Sequence, residues 1–378
     1  MKIGNLEFKD YAAQKPLTVS PSGDFLTASE IVSQPTLSLG SVFTLDTDQQ
    51  LKVAVKRYEY EPPELKIGVI GAGLFTRDEV IEQLNEQTDF GKLALRAEMG
   101  YVNELTSELM AGAGLPSWPS IPDSPLPVEP DWRRRKRCIW LKLPRRALFC
   151  EDTKDPVTTP FANYRMANVH PVFQNRGFTV VVLQGTDDVR TNFVPQAKKS
   201  LTIYLGGIGH GSYTTYTGYW GDHILEVGHY DAAEVKDKAI HFLSCKTGAQ
   251  LGPDAVAQGA YCYAGYTENF VLQWDDGTTP AVDEFELFAK SDSTFDIMMA
   301  HGATGQQAYD ATVQAFNAAI SQVPNTAAAT FLTWDRNHLK LHGDPETTIP
   351  SHRYVKICFP VAVLEHQDAL AEAGELAD

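Results

Sequence analysis

The chain has 378 residues, 43% apolar, 10% aromatic and 21% charged, a composition that excludes wholesale disorder, a disulfide mini-scaffold and a fibrous rod. Its net charge of −16 is uneven: residues 1–150 hold 18 basic against 20 acidic side chains, residues 151–378 hold 14 against 28. So acidic a second part repels phosphate backbones; no nucleic-acid partner is expected, while basic peptides are compatible.

No apolar run approaches the roughly 18–20 residues that span a bilayer. Met1–Asp10 has no hydrophobic stretch of the secretory kind, so a cytoplasmic location away from membranes is expected. The cysteines (Cys138, Cys150, Cys245, Cys262, Cys358) are odd in number and form no CxxC pair, against a disulfide framework or a zinc ribbon.

In chain order, residues 1–65 mix short apolar stretches with Pro, Ser and Thr and read as irregular β structure. Leu65–Ile70 reads as a strand, Gly71-Ala72-Gly73 as a turn, and Thr76 with Glu79 as a capping box. Helices then run to about residue 110, with a break near Gly91. Six prolines between Leu115 and Pro130 predict an extended linker. It leads into Arg133-Arg134-Arg135-Lys136-Arg137, read as a solvated charged stretch or as a protease-sensitive activation site.

From Cys138 onward strands and helices alternate. Cys138–Leu143 and Arg146–Cys150 are expected to form a hairpin, and Phe161–Gln174 a helix. Phe178–Leu183, Leu201–Leu205, Ala239–Leu243 and Ala260–Tyr266 read as strands buried in a parallel sheet. Thr304 and Gln307 open a long helix through a second capping box. Tyr354–Leu364 is expected to add an edge strand, and Glu365–Asp378 a short helix or frayed tail. The fold class is therefore α/β, a mostly parallel sheet flanked by helices, with an N-terminal α+β extension. The chain divides into four regions: an N-terminal regulatory or partner-binding region (1–114), the linker (115–137), the main domain (138–350) and a C-terminal strand and tail (351–378).

In such sheets functional groups gather at the carboxyl ends of strands. Leu201–Leu205 is followed by His210-Gly211 and Ala239–Leu243 by Ser244-Cys245, so a histidine and a cysteine can face each other across neighbouring strand ends. A nearby imidazole activates the thiol and can protonate a leaving amine, and the N–H groups of Gly211 and Cys245 can hold an oxyanion. The pair is expected within a few ångströms in an open cleft.

His-Gly after one strand and Ser-Cys after the next resemble the caspase-like (clan CD) cysteine peptidases, which include caspases, legumains, gingipains, separases and CHAT-domain proteases. Gly209–Ser212, Leu243–Gly248, Gly259-Ala260, the helix Thr304–Ala319 and Leu341–Pro345 place the resemblance nearest the gingipain and CHAT branch, over roughly residues 138–350. It implies a cysteine endopeptidase acting on protein or peptide substrates through an acyl-enzyme. His210 would be the acid/base and Cys245 the nucleophile, with no third catalytic residue named, no organic cofactor and no metal site. It further implies that a residue after the first strand lines the primary specificity pocket. Asp187 or Asp188 there would favour a basic residue before the cut, and Glu268 is a further acid of this kind. Leu243 departs from the metacaspase pattern, which has an acid two residues before the cysteine.

Two other classes compete. The domain can be a catalytically silent scaffold. Lys66-Ile-Gly-Val-Ile-Gly71-Ala-Gly73 also has the strand–glycine–helix order of a dinucleotide-binding loop, although Thr76 stands where a third glycine belongs. A βαβ unit over residues 66–110 would be its mark.

Overall fold

Period-two alternation decides the central sheet. In Arg146–Glu151, Ala147 and Phe149 are buried on one face while Leu148 and Cys150 are buried on the other, as required of a strand covered on both sides. The structure is a computed structural model that describes residues 2–3, 6–20, 23–33, 45–111, 138–273 and 284–358. The linker, the basic run 133–137 and everything after residue 358 lie outside the described residues.

The strands that position the site are β1 (Lys66–Val69), β2 (Gly73–Thr76), β3 (Cys138–Pro144), β4 (Arg146–Glu151), β5 (Thr179–Gln184), β6 (Thr202–Ile208), β7 (Ala239–Leu243), β8 (Cys262–Tyr266), β9 (Val271–Gln273), β10 (Leu339–Gly343) and β11 (His352–Cys358). The six-stranded sheet has the order β10-β8-β7-β6-β4-β5. Its pairs are parallel except β8 with β10. Helices His170–Asn175, Glu284–Ala300 and Gly305–Gln322 cover one face through Phe173, Phe295, Met299 and Ala308 among others. The short helices Arg190–Ala197, Ala232–Val235 and Leu251–Ala257 cover the other. This is the expected α/β class, with helices on both faces of a mostly parallel sheet.

Several elements depart from expectation. β3 does not form a hairpin with β4; it pairs antiparallel with β11, from Pro144↔His352 to Cys138↔Cys358. The same pairing places β11 in its own two-stranded sheet and not at the edge of the central one. The helix expected over Phe161–Gln174 is broken in two, Thr158–Asn168 and His170–Asn175, because Pro171 removes an N–H and starts a new first turn. Residues 1–65 are not all irregular β: Thr47–Glu59 is a helix opened by a capping box between Asp46 and Gln49. The break expected near Gly91 falls at Gln87, in left-handed conformation at the end of helix Arg77–Glu86.

The dinucleotide reading is overturned. Gly71 and Gly73, at φ +86° and +99°, turn the chain straight back, so β1 and β2 pair antiparallel from Lys66↔Thr76 to Val69↔Gly73. Thr76 then caps helix Arg77–Glu86 reciprocally with Glu79, and the next element is helix Asp89–Ala111, with no βαβ unit to receive a ribose.

The hairpin β1–β2 completes a three-stranded sheet, order β9-β1-β2. Ile67, Val69 and Ile70 share one core with Ile208, Leu243, Cys245, Val271 and Leu272. The N-terminal region thus packs over the carboxyl ends of β6 and β7. Buried polar bonds fix it there: Arg57 pairs with Glu98 at 2.5 Å and donates to Asn325 at 2.7 Å, and Lys15 pairs with Glu61 at 2.5 Å. Glu61 also accepts from the Ala327 N–H.

Candidate active site

The sheet register brings the two motifs level. Ile208 is opposite Leu243, so His210 and Cys245 each lie two residues beyond the same rung. Ile208 is also opposite Glu151 on its other side, which puts Asp152 at the third adjacent strand end. In chain order these strands have the 2-1-3-4-5 pattern, in which the crevice between the first and third strands, here β4 and β6, is the topological switch point.

The loops at these ends approach closely. A Cβ on Gly211 would stand 2.5 Å from the Cys245 carbonyl oxygen, so no other residue fits without moving backbone. Thr217 N–H donates to His210 O and Ser212 N–H to Thr215 O, both at 2.9 Å. These bonds flank the Gly211↔Tyr216 bridge and leave the Gly211 N–H outside that ladder. After Cys245 the chain turns through Lys246 at φ 64°, a conformation costly for a non-glycine residue. The turn is braced by Lys246 N–H to Glu268 O at 3.0 Å, Gly248 N–H to Tyr266 O at 2.8 Å, and a 2.8 Å bond between the Ser244 and Thr247 hydroxyls.

The histidine has a paired side and an unpaired side. Its Nε2 lies 3.6 Å from Asp152 Oδ2 and 3.7 Å from Asp155 Oδ2, ion-pair distances that favour the proton on Nε2. Nδ1 is buried without a hydrogen-bond partner. Both acids are held in turn, Asp152 by the Lys154 N–H and Asp155 by the Val157 N–H. Burial pushes the Asp152 carboxyl upward, against the Lys154 N–H and His210. Sequence reasoning missed Asp152 and Asp155. The signal was an acid at the end of β4, obscured by reading β4 as half of a hairpin.

The cysteine does not sit in an open cleft, and that expectation is corrected. Cys245 is 2% exposed, and its Sγ donates to Ile70 O at 3.0 Å. Burial pushes the thiol up to about 12, the Phe270 N–H acting the other way. The covering residues come from the β1–β2 turn, and the next one, Gly71, lies against the histidine: a Cβ there would stand 3.5 Å from His210 Nδ1.

The remaining candidates are dispersed. Asp187 is exposed on the turn Gly185–Asp187. Asp188 is fully buried, and no hydrogen-bond partner reaches either carboxylate oxygen. Burial pushes it up to about 8; the neighbouring Cys150 thiol opposes this, and Asp152 and Glu151 add to it. Glu268 is partly exposed, 3.9 Å from Arg96.

A metal is not needed at the one group of suitable ligands among the described residues, His241, Asp292 and Asp296. Arg165 already supplies the cation, 2.8 Å from Asp296 and 3.7 Å from Asp292. Tyr204 and Tyr266 donate to the same two carboxylates at 2.6 and 2.8 Å.

No family model matches the chain, and no curated protein matches it in sequence. Among solved structures it is similar to the Arg-specific cysteine proteinase gingipain R, with TM-score 0.38 and 12% identity over 55% of this chain and 48% of that one. It is also similar to a complex of the Porphyromonas gingivalis RgpB pro- and mature domains, with TM-score 0.36 and 11% identity over 55% and 49%. The chain thus spans about half the length of these proteinase chains. No helix among the described residues is long and apolar enough to cross a membrane.

Proposed function

We propose that the chain is a cysteine endopeptidase of caspase-like fold, with Cys245 as nucleophile and His210 as acid/base, hydrolysing protein or peptide substrates. The supporting observation is that consecutive residues of a polypeptide, Ile70 and Gly71, lie against the thiol and the imidazole respectively, with a carbonyl oxygen 3.0 Å from Sγ. A site that accommodates its own backbone in this way has the dimensions for a peptide.

With a substrate in place, His210 Nδ1 takes the thiol proton and the thiolate attacks the scissile carbonyl carbon. The N–H groups of Gly211 and Cys245 receive the oxyanion. Nδ1–H then protonates the departing amine as the C–N bond breaks, leaving a thioester on Cys245. Water attacks the thioester with Nδ1 as base, releasing the acid and the thiol. Asp152 and Asp155 hold the ring by Nε2 throughout. The carboxyl groups around it, with the exposed Asp187 on the neighbouring loop, favour a basic residue before the cut; Asp188, buried and pushed up to about 8, carries no charge at neutral pH, and Glu268, salt-bridged to Arg96, contributes least. Residues 138–350 form the peptidase unit in this reading, and residues 1–114 regulate it or recruit a partner.

One observation favours the silent scaffold, the burial of a thiol held at about 12. Incubating wild type and Cys245→Ala with peptides varied at the residue before the cut separates the two readings. Cleavage lost in the variant supports the peptidase, equal turnover by both rejects Cys245 as the nucleophile, and no cleavage by either, even once the residues covering the thiol are displaced, supports the scaffold.

A further inference from the structure

We propose that the hairpin Lys66–Thr76 is a built-in occupant of the peptide cleft, which keeps the site closed until the hairpin is displaced. The proposal rests on the peptidase reading above and adds its regulation.

β9, a three-residue strand shortly after the Tyr266 and Glu268 carbonyls that brace the Cys245 turn, belongs to no sheet but the one it forms with the hairpin, and its edge is the kind that takes up an extended peptide by strand pairing. Here β1 takes that edge, antiparallel, in the register Ile67↔Gln273, Gly68↔Leu272 and Val69↔Val271. The ladder continues one residue further, Ile70 N–H donating to Phe270 O at 3.4 Å. The next group along the chain is the Ile70 carbonyl on Sγ, and after it comes Gly71 beside His210. Strand, carbonyl and following residue meet edge, thiol and imidazole in the order a substrate would present them.

The hairpin is nevertheless held as an occupant and not as a substrate. The thiol donates its proton to the carbonyl oxygen, whereas attack needs a thiolate approaching the carbon. Beyond Gly71 the chain does not continue across the cleft. Ala72 N–H bonds back to Val69 O at 3.0 Å and the chain returns as β2. Ile70 and Val69 are buried in the core that contains Cys245, so water and reagents are excluded along with substrate.

Gly68 provides the test, because a Cβ there would meet Leu272 of β9 at 3.1 Å. Gly68→Phe forces β1 off β9. Gly68→Ala needs only a few tenths of an ångström from a flexible side chain and keeps the fold if the larger residue does not. Two rates are read on the full chain: alkylation of each cysteine by iodoacetamide, resolved peptide by peptide, and cleavage of a peptide library. Cys245 alkylation is expected to rise at least tenfold in Gly68→Phe and severalfold in Gly68→Ala, with cleavage rising in parallel. Cys150 and Cys262, buried elsewhere, stay slow. Faster alkylation of Cys245 without any cleavage leaves the occupant standing and rejects the peptidase. Unchanged Cys245 alkylation in both variants, or all three cysteines accelerating together, overturns the proposal.

Discussion

Gly211 marks the point where the histidine loop touches the cysteine loop, and one methyl group there has no room. Gly211→Ala places a Cβ against the Cys245 carbonyl oxygen, so backbone must shift, at a cost of about 1–3 kcal/mol. The expected result is a lower thermal midpoint, and loss of peptide cleavage in the Gly68→Phe background; an unchanged midpoint would mean the two loops are not packed as described. His210 and Cys245 were legible because each comes after a short apolar strand and stands beside glycine or serine, a local pattern. Asp152 and Asp155 were not: an acid after a strand is an ordinary turn or cap residue, and only the placement of β4 between β5 and β6 turns it toward the imidazole. Burial of the thiol was equally invisible, since the atom that covers it belongs to Ile70, 175 positions away.

Capping boxes made helix starts readable at the scale of elements. Thr304 accepts from the Gln307 N–H and Gln307 from the Thr304 N–H; Thr304→Ala is expected to cost about 1 kcal/mol, measured as a shift in the urea midpoint, and no shift would mean the first turn is held by other contacts. The same signature at Asp46 and Gln49 was present but sat in a stretch read as irregular. Strand partners were harder to infer than strands. β3 and β4 are separated by one residue, which suggests a hairpin, yet Pro144 ends β3, and its partner β11 lies about 200 positions further on. The glycine run after β1 shows the same ambiguity: a tight antiparallel turn and a phosphate-binding loop both need positive φ, and only the strand returning as β2 distinguishes them.

Across the molecule, buried charge ties sheet to helices. His241 on β7 faces Asp296 at 3.0 Å and Asp292 at 3.4 Å, with Arg165 between them, and Arg165 also reaches Glu151 at 3.2 Å. Burial alone would lower the His241 pKa, but the two carboxylates outweigh it and raise it from 6.5 to about 9. A histidine raised on folding stabilises fully below its unfolded value, and that contribution disappears as pH rises through the folded one. The stability of wild type over His241→Gln, from urea melts, should therefore be constant below about pH 6 and fall away up to about pH 9; a pH-independent difference would mean the ring is neutral when folded. Removing the guanidinium by Arg165→Met leaves buried carboxylates uncompensated and should cost about 3–5 kcal/mol. The central claim, that one thiol and one imidazole at neighbouring strand ends break peptide bonds, is tested most directly by trapping. Gly68→Phe protein is treated with a peptidyl chloromethyl ketone carrying arginine next to the warhead, and the adduct is mapped by mass spectrometry. A single adduct on Cys245 Sγ is expected, and it is lost when His210 is replaced by alanine. An adduct on another residue, or equal labelling without the histidine, would contradict it.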